Sequence, residues 1–210
     1  MRIARLVTLL MLVLTASSVN SQRVALRNNL LYDATLTPNL GLEVRADSTW
    51  SLVANVGVNA WDIDTKENKK WRHVLVSAGV RNYFGHRRDS VSLRGDHYYR
   101  RDSVSLRGVH YWGPNLLYSH FNVGNTRIPF GLYSAVKDRR LQGDLVALGA
   151  KYGYSWILAR DWRIEAEAGV AVGYAWFKEY DCATCGTYYG RGDRIFLLPQ
   201  LGVNIVYIIN

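Results

Sequence analysis

Residues 162–176 alternate between two unlike sets of side chains, and this pattern constrains the fold more than any other feature. One set is apolar and begins and ends with tryptophan, whereas the other begins with charged residues and continues with glycine and alanine. Successive side chains of a strand point to opposite faces, so the segment predicts a strand with one bulky apolar face and one narrow polar face. An apolar band with aromatic residues at both ends, over at least the roughly 9–11 residues that a spanning strand needs, is typical of outer-membrane β-barrels.

Seven further runs have strand character, and no run has a convincing helical period over three turns. The eight predicted strands are 24–35, 40–46, 50–60, 71–84, 109–121, 144–158, 162–177 and 195–209. Pro114 makes the fifth strand ambiguous, because proline is confined to strand edges, starts or bulges. The predicted fold class is all-β, an eight-stranded antiparallel up-and-down transmembrane barrel of the outer membrane.

The size of the side chains on the polar face separates this prediction from a soluble barrel. A soluble barrel would also alternate, but water does not require small residues on its exposed face. The interior of a barrel of about eight strands does require them, because it leaves just enough room for side chains to fill. The glycines and alanines of 169–175 therefore favour a membrane barrel with a narrow interior.

The N-terminus predicts export. Residues 1–21 contain two early arginines, an apolar stretch that is too short for a membrane helix of about 20 residues, and small or modest residues before Gln22. We expect a cleaved signal peptide over 1–21, a single barrel domain over 22–210 and location in the cell outer membrane. The net charge of +9 would suggest nucleic acid in a cytosolic protein, but for an exported chain we expect outer-membrane lipids and no nucleic acid as partners.

Charged residues of both signs fall on the faces predicted to point inward, where opposite charges can pair with one another. The predicted interior charge network consists of Arg27, Asp33, Glu43, Arg45, Arg81, Lys151, Arg163, Glu165 and Glu167. An interior filled in this way argues against a diffusion porin, which needs about 16–18 strands.

The sequence contains no recognised catalytic motif, neither a nucleophile elbow nor a zinc-binding helix nor a phosphate-binding loop. Its five histidines are scattered without the spacing of metal ligands. His73 and Ser77 share one strand face, but about 13 Å separates residues four apart in a strand, which is too far for a nucleophile and its base. We expect no catalytic residue, no metal and no cofactor.

The only cysteines, Cys182 and Cys185, lie between the last two predicted strands. A zinc site needs four ligands, and no nearby histidine supplies the others. A thioredoxin-like pair would sit at a helix N-terminus rather than between strands. In an exported chain the pair is therefore predicted to form a local disulfide, with metal binding and redox catalysis as the alternatives.

A 13-residue segment at 87–99 is nearly copied by 100–112. A solenoid needs at least three repeats, so the two copies indicate a local tandem duplication that lengthens one hairpin connection. If every strand spans the membrane, this connection lies on the side of the N-terminus, where the turns of such barrels are usually short.

Several motifs together resemble a family of outer-membrane barrel proteins of Gram-negative anaerobes that is known as a domain of unknown function. The motifs are N-L-L-Y-D-A at 29–34, T-P-N at 37–39, G-x-E at 41–43, K-W-x-H at 70–73, F-N-V-G at 121–124, P-F-G at 129–131, K-D at 137–138, Gly143, Y-G-Y-x-W at 152–156 and Y-x-C-x-x-C-G at 180–186. They cover nearly the whole mature chain, and the tandem repeat departs from the family's pattern. The resemblance implies the fold and the location but carries no activity. Association of the family with fimbrial assembly genes favours surface or fimbrial proteins as partners.

The first functional hypothesis is a non-enzymatic outer-membrane barrel with a structural, assembly or surface-adhesion role, exercised through its long loops. The second is a small membrane-embedded enzyme that modifies lipid or polysaccharide. The third is a soluble periplasmic barrel that binds a ligand. The sequence leaves the oligomeric state and the identity of any partner open.

Overall fold

The computed structural model describes residues 24–64, 69–84, 108–124, 139–181 and 186–209. These residues form nine β-strands and one short helix, which agrees with the all-β prediction. The elements are β1 (Val24–Asn29), α1 (Leu30–Ala34), β2 (Asn39–Arg45), β3 (Trp50–Asn59), β4 (Asp62–Asp64), β5 (Lys69–Phe84), β6 (Gly108–Gly124), β7 (Arg140–Ile157), β8 (Trp162–Tyr180) and β9 (Tyr188–Ile209). Within these ranges, no helix has both the length and the apolar character needed to cross a bilayer.

Eight of the strands form one closed, ring-shaped antiparallel sheet. Their order is β3-β2-β1-β9-β8-β7-β6-β5, and a further pairing of β3 with β5 closes the ring. The short β4 adds to the edge of β5. The prediction of eight antiparallel strands is therefore confirmed. Apart from β4, strands that follow one another along the chain are also paired in the sheet.

The strand register is staggered around the ring. Starting at Arg27 and moving from each residue to its partner on the next strand leads through Gly41, Asn55, Ser77, Leu117, Ala147, Gly173 and Phe196. Across the closing pair, however, Arg27 pairs with Val206. The path thus reaches β9 at residue 196, ten residues away from residue 206, which is the direct partner of the starting residue. A closed sheet with this stagger must have tilted strands.

The ring has two unlike ends. The termini end carries Val24 and Ile209, which pair with each other, and the tight turns at 46–49 and 158–161. The α1 end carries α1 and the far ends of the longer strands. β1 pairs with only the last six residues of β9, so β6 to β9 rise well beyond β1 and β2 at the α1 end.

Side-chain burial follows the alternation in the sequence. In β8, Val170 is 53% exposed whereas the next residue, Ala171, is 2% exposed. The same alternation of exposure recurs around the ring. Large apolar residues cover the outside, whereas polar and small residues, together with a few buried apolar groups, fill the inside. Outward-facing examples from other strands are Leu42, Leu52, Val76, Leu116, Leu148 and Leu201.

The prediction of a single strand over 24–35 is wrong in its second half, where α1 forms. The side-chain oxygen of Asn29 accepts a hydrogen bond from the N–H of Leu31 at 3.0 Å and so caps the helix. The side chain of Asn39 bonds to both the N–H and the carbonyl of Asn29. These local bonds satisfy the main chain and end the strand.

The fifth predicted strand is continuous through Pro114, which pairs with Ala150 of β7. On the other side, the ladder between β5 and β6 is interrupted opposite Pro114, as expected for a residue with no N–H to donate. Gly113 is required there, because a Cβ atom would lie 1.7 Å from the carbonyl oxygen of Val80. The last strand begins at Tyr188 rather than at residue 195. The prediction missed its first residues because they lack the apolar alternation that marks the rest of the strand.

Candidate functional site

Seven charged side chains from five strands meet inside the ring. We call this group the interior charge cluster, and it consists of Arg27, Glu43, Arg81, Lys151, Arg163, Glu165 and Glu167. All are buried except Lys151, which is half-buried. Each belongs to the predicted interior network, and the alternation of strand faces directs each of them inward.

Glu165 lies at the centre of the cluster and is 0% exposed. Its Oε2 atom accepts hydrogen bonds from Nη2 of Arg27 and Nη1 of Arg81, both at 2.9 Å. The two arginines come from β1 and β5, while Glu165 comes from β8. One carboxylate therefore connects three strands, two of which are not its neighbours in chain order.

Glu167, two residues further along β8, is held by cations on both of its oxygens. Nζ of Lys151 lies 3.0 Å from Oε1, and Arg81 donates to Oε2. Glu43 of β2 completes the cluster, with Nη1 of Arg81 at 3.6 Å and Nη1 of Arg27 at 3.9 Å from its Oε2. Arg163 is buried within electrostatic range of Glu43 and Glu165. Four cations thus face three carboxylates.

Two tyrosines that were not predicted also belong to the site. The hydroxyl of Tyr83 donates to Oε1 of Glu43 at 2.5 Å, and that of Tyr111 donates to Oε2 of Glu167 at 3.1 Å. The guanidinium of Arg81 lies 4.2 Å from the centre of the Tyr111 ring. Face parity could have revealed Tyr83, because it stands two residues from Arg81 and so shares its face.

Glycines make the room that these side chains occupy. A Cβ atom at Gly153 would lie 2.3 Å from Cζ of Tyr111, and one at Gly202 would lie 2.8 Å from Cγ of Glu167. Both glycines sit on strands that flank the cluster, opposite Tyr111 and Glu167 respectively. The small residues on the inner face are therefore the counterpart of the large polar side chains that fill it.

The other two residues of the predicted network bond to strand connections, although the guanidinium of Arg45 also lies 5.6 Å from the centre of the Tyr83 ring. Asp33 is half-buried in α1, where its carboxylate accepts a hydrogen bond from Nδ2 of Asn39 at 2.9 Å. Arg45 lies at the termini end, where it donates to the main-chain carbonyls of Asp47 and Ser48 in the turn. Both side chains shape connections between strands.

Apolar side chains lie on both sides of the interior charge cluster. Towards the termini end, Ala25, Val206 and Ile208 form a buried group. Towards the α1 end, a second layer closes the interior. It consists of Leu117, Ala147 and Ala171, packed against Leu75, Leu145 and Leu198.

A cavity of about 30 Å³ lies beside the cluster, lined in part by Arg81, Tyr111 and Lys151. It has room for about one water molecule. The charges are thus enclosed, and the removal of one partner would leave the others uncompensated at a cost of about 3–5 kcal/mol. The arrangement can hold the walls of the ring together, and the cavity beside it takes no more than about one water molecule.

Other predicted features lie outside the described residues. These are Cys182 and Cys185, residues 1–21, and all of the tandem repeat except 108–112, which form the start of β6. Within the part of the chain that the structure describes, no group of three or more His, Cys, Asp or Glu residues is arranged to hold a metal ion.

No curated protein matches this chain. A family model described as "Protein of unknown function (DUF3575)" matches residues 6–209, which is nearly the whole chain. The chain therefore belongs to the DUF3575 family.

Proposed function

We propose that the ring is a transmembrane β-barrel of the outer membrane, with a structural, assembly or surface-adhesion role. The observation that carries this proposal is the outward apolar face of the sheet. A protein in water does not expose so many large apolar side chains in a continuous band, because single patches rarely exceed a few hundred Å². Lipid tails would cover this band, so that its apolar side chains would not be exposed to water.

The height of the band supports the proposal. A stagger of ten residues over eight strands, with a rise of about 3.3 Å per residue and about 4.8 Å between strands, gives a tilt of about 41°. Trp162 and Tyr174, both exposed on β8, are twelve residues apart. At this tilt they are separated by about 30 Å along the ring axis, which is the thickness of a hydrocarbon core.

Aromatic side chains border the band at both ends, as they do at the two interfaces of a membrane barrel. At the termini end the rings of Trp162 and Tyr207 pack with their centres 4.9 Å apart. At the α1 end the rings of Tyr174 and Trp176 pack at 5.9 Å. The outward-facing side chains between these two levels on β8 are small or aliphatic.

The enclosed interior supports a role exercised at the surface of the molecule. Ion pairs and two apolar layers fill the ring, so diffusion of solutes through it is not its proposed activity. We propose that residues 1–21 direct export, that the termini end with its tight turns faces the periplasm, and that the α1 end faces outward. Fimbrial or other surface proteins are the proposed partners.

The test is fractionation followed by gel electrophoresis of the mature chain. A folded membrane barrel resists detergent and migrates differently before and after boiling, because its closed sheet has no edge from which to unzip. We expect recovery in the outer-membrane fraction and a boiling-dependent shift. Recovery in the soluble periplasmic fraction with identical migration would overturn the proposal.

A lipid-modifying enzyme is the second candidate, because one histidine–carboxylate pair faces outward near the aromatic residues that border the apolar band at the α1 end. Nδ1 of His120 lies 2.9 Å from Oδ1 of Asp144, and the hydroxyl of Tyr118 donates to the same oxygen at 2.7 Å. Ser119 is buried on the opposite face and cannot serve as the nucleophile of this pair. Altered lipid A or phospholipid in a deletion strain, restored by the wild type but not by His120→Ala, would favour this candidate.

A further inference from the structure

We propose that the outer face of the ring binds the phosphate of an anionic lipid headgroup through three cations, Arg140, Lys178 and Arg191. We call these residues the basic row. The inference rests on the proposed function, since it requires the apolar band to lie in a membrane. It adds a ligand class and a binding site to that function.

The central observation is a like-charged pair. Lys178 of β8 is the direct antiparallel partner of Arg191 of β9, and both are exposed. Side chains of directly opposed residues share one face, with Cβ atoms about 4.5–5.5 Å apart, so these two cations repel each other. Neither has an ion-pair partner among the described residues. An anion between them would replace repulsion by attraction.

Arg140 of β7 extends this site across a third strand. It is paired with Tyr180, which places it diagonally next to Lys178 on the same face. Its Nε atom donates to Oδ1 of Asn122 at 2.8 Å, and its guanidinium lies 5.3 Å from the centre of the Tyr180 ring. These contacts hold the group in position and leave its two terminal nitrogens for an anion, for which a guanidinium fork is well suited.

The position of the basic row selects a lipid as the source of that anion. Lys178 stands two residues beyond Trp176 on the same face, and Trp176 stands two residues beyond Tyr174. The cations therefore follow directly after the aromatic residues that border the apolar band. In a bilayer, headgroup phosphates lie at this level, where nearby lysine and arginine side chains attract anionic lipids.

Acidic neighbours do not neutralise the basic row. Asp193 lies opposite Trp176 and accepts a hydrogen bond from the hydroxyl of Tyr174 at 3.3 Å. Asp144, on the other side of Trp176, is occupied by Tyr118 and His120. Among these described residues, Asp193 and Asp144 thus offset at most two of the three cations, and a net positive charge remains.

The experiment compares the thermal stability of the folded full mature chain in two kinds of vesicle. One is phosphatidylcholine alone, and the other is phosphatidylcholine with phosphatidic acid. The temperature at which half of the protein loses its folded gel mobility is measured for the wild type and Arg191→Gln. We expect phosphatidic acid to raise this midpoint for the wild type, and we expect Arg191→Gln to lose most of that rise.

Arg160→Gln is the matched control, because Arg160 is an exposed arginine in the turn at the opposite end of the ring. This variant should keep the full rise. Lys178→Glu places a carboxylate where the lipid phosphate would bind, so its midpoint should exceed that of the wild type in phosphatidylcholine and respond little to phosphatidic acid.

Three results would overturn the inference. The first is that Arg160→Gln and Arg191→Gln lose the rise in midpoint caused by phosphatidic acid to the same extent. The second is that Lys178→Glu keeps this rise unchanged. The third is that inorganic phosphate raises the midpoint equally in phosphatidylcholine vesicles. Insertion into vesicles with no response to phosphatidic acid would overturn lipid binding by the basic row but leave the proposed membrane function standing. Failure to insert into any vesicle would remove the proposed membrane function itself.

Discussion

Nη1 of Arg81 lies 2.9 Å from Oε2 of Glu165, although 84 residues separate the two in the chain. The pair joins β5 to β8, which are separated in the sheet by β6 and β7. Such a contact crosses the interior and requires the ring to be closed. The interior charge cluster therefore links opposite walls of the ring, in a way that hydrogen bonds between neighbouring strands cannot.

Removal of Arg81 should destabilise the fold strongly. Arg81→Leu leaves Glu165 and Glu167 buried with one cation fewer each, and we expect a loss of about 3–5 kcal/mol in the free energy of unfolding. Urea unfolding of the protein in vesicles measures this change. Arg160→Gln, an exposed substitution, should stay within about 0.5 kcal/mol of the wild type.

A double variant tests whether that loss comes from the uncompensated carboxylate. Arg81→Leu with Glu165→Gln should be less destabilised than the sum of the two single variants, because the neutral amide no longer needs a cation. Strict additivity of the two changes would contradict the coupling of this pair.

The sequence predicted the strands well because alternation is a local signal that each strand carries by itself. It also placed all seven members of the interior charge cluster on the inner face, since face parity follows from the same alternation. It could not show which charges pair, because the contact of Arg27 with Glu165 depends on how far the sheet is staggered when it closes. That stagger is a property of the whole ring.

The residues that the sequence misassigned follow local rules that compete with alternation. Asn29 and Asn39 end β1 by bonding to the main chain, and a helix of five residues is too short to produce a periodic pattern. Arg45 is not among them, because its guanidinium lies 5.6 Å from the centre of the inward-facing Tyr83 ring while it also reaches the turn carbonyls at the strand end. Tyr111 was missed because Pro114 obscured the phase of its strand.

Face parity should decide the effect of an arginine on the outer surface. Val170 is exposed on the outer face of β8, which we propose to meet lipid, and Val170→Arg should therefore cost about 2–4 kcal/mol of folding stability in a membrane. Urea unfolding in vesicles is the measurement, with Val170→Ala as the control for loss of the side chain alone. A neutral effect of Val170→Arg would mean that this face meets water, and the membrane proposal would fail.

Gly153 should be intolerant of even one methyl group. A Cβ atom there would overlap the Tyr111 ring, which has Arg81 against its face and cannot move freely. We expect Gly153→Ala to cost about 1–3 kcal/mol in the free energy of unfolding. Combined with Tyr111→Val, which vacates the space, Gly153→Ala should cost clearly less than it does alone. If its cost is unchanged by Tyr111→Val, overlap with this ring is not the cause.

Cys182 and Cys185 should be oxidised to each other in protein isolated from the cell envelope, yet contribute little to global stability. The hairpin that contains them is already closed by the hydrogen bond from the N–H of Asp181 to the carbonyl of Thr187 at 2.9 Å, next to the paired Tyr180 and Tyr188. A bridge over so short a loop removes little entropy from the unfolded chain.

Mass spectrometry after alkylation tests the oxidation state of these cysteines, and free thiols or bound zinc would contradict the disulfide. Thermal melting of the double variant Cys182→Ser with Cys185→Ser tests the energetic part. We expect a midpoint close to that of the wild type, because the fold depends on strand pairing and the interior charge cluster rather than on this loop. Loss of the boiling-dependent gel shift in the double variant would mean that the pair supports the ring itself.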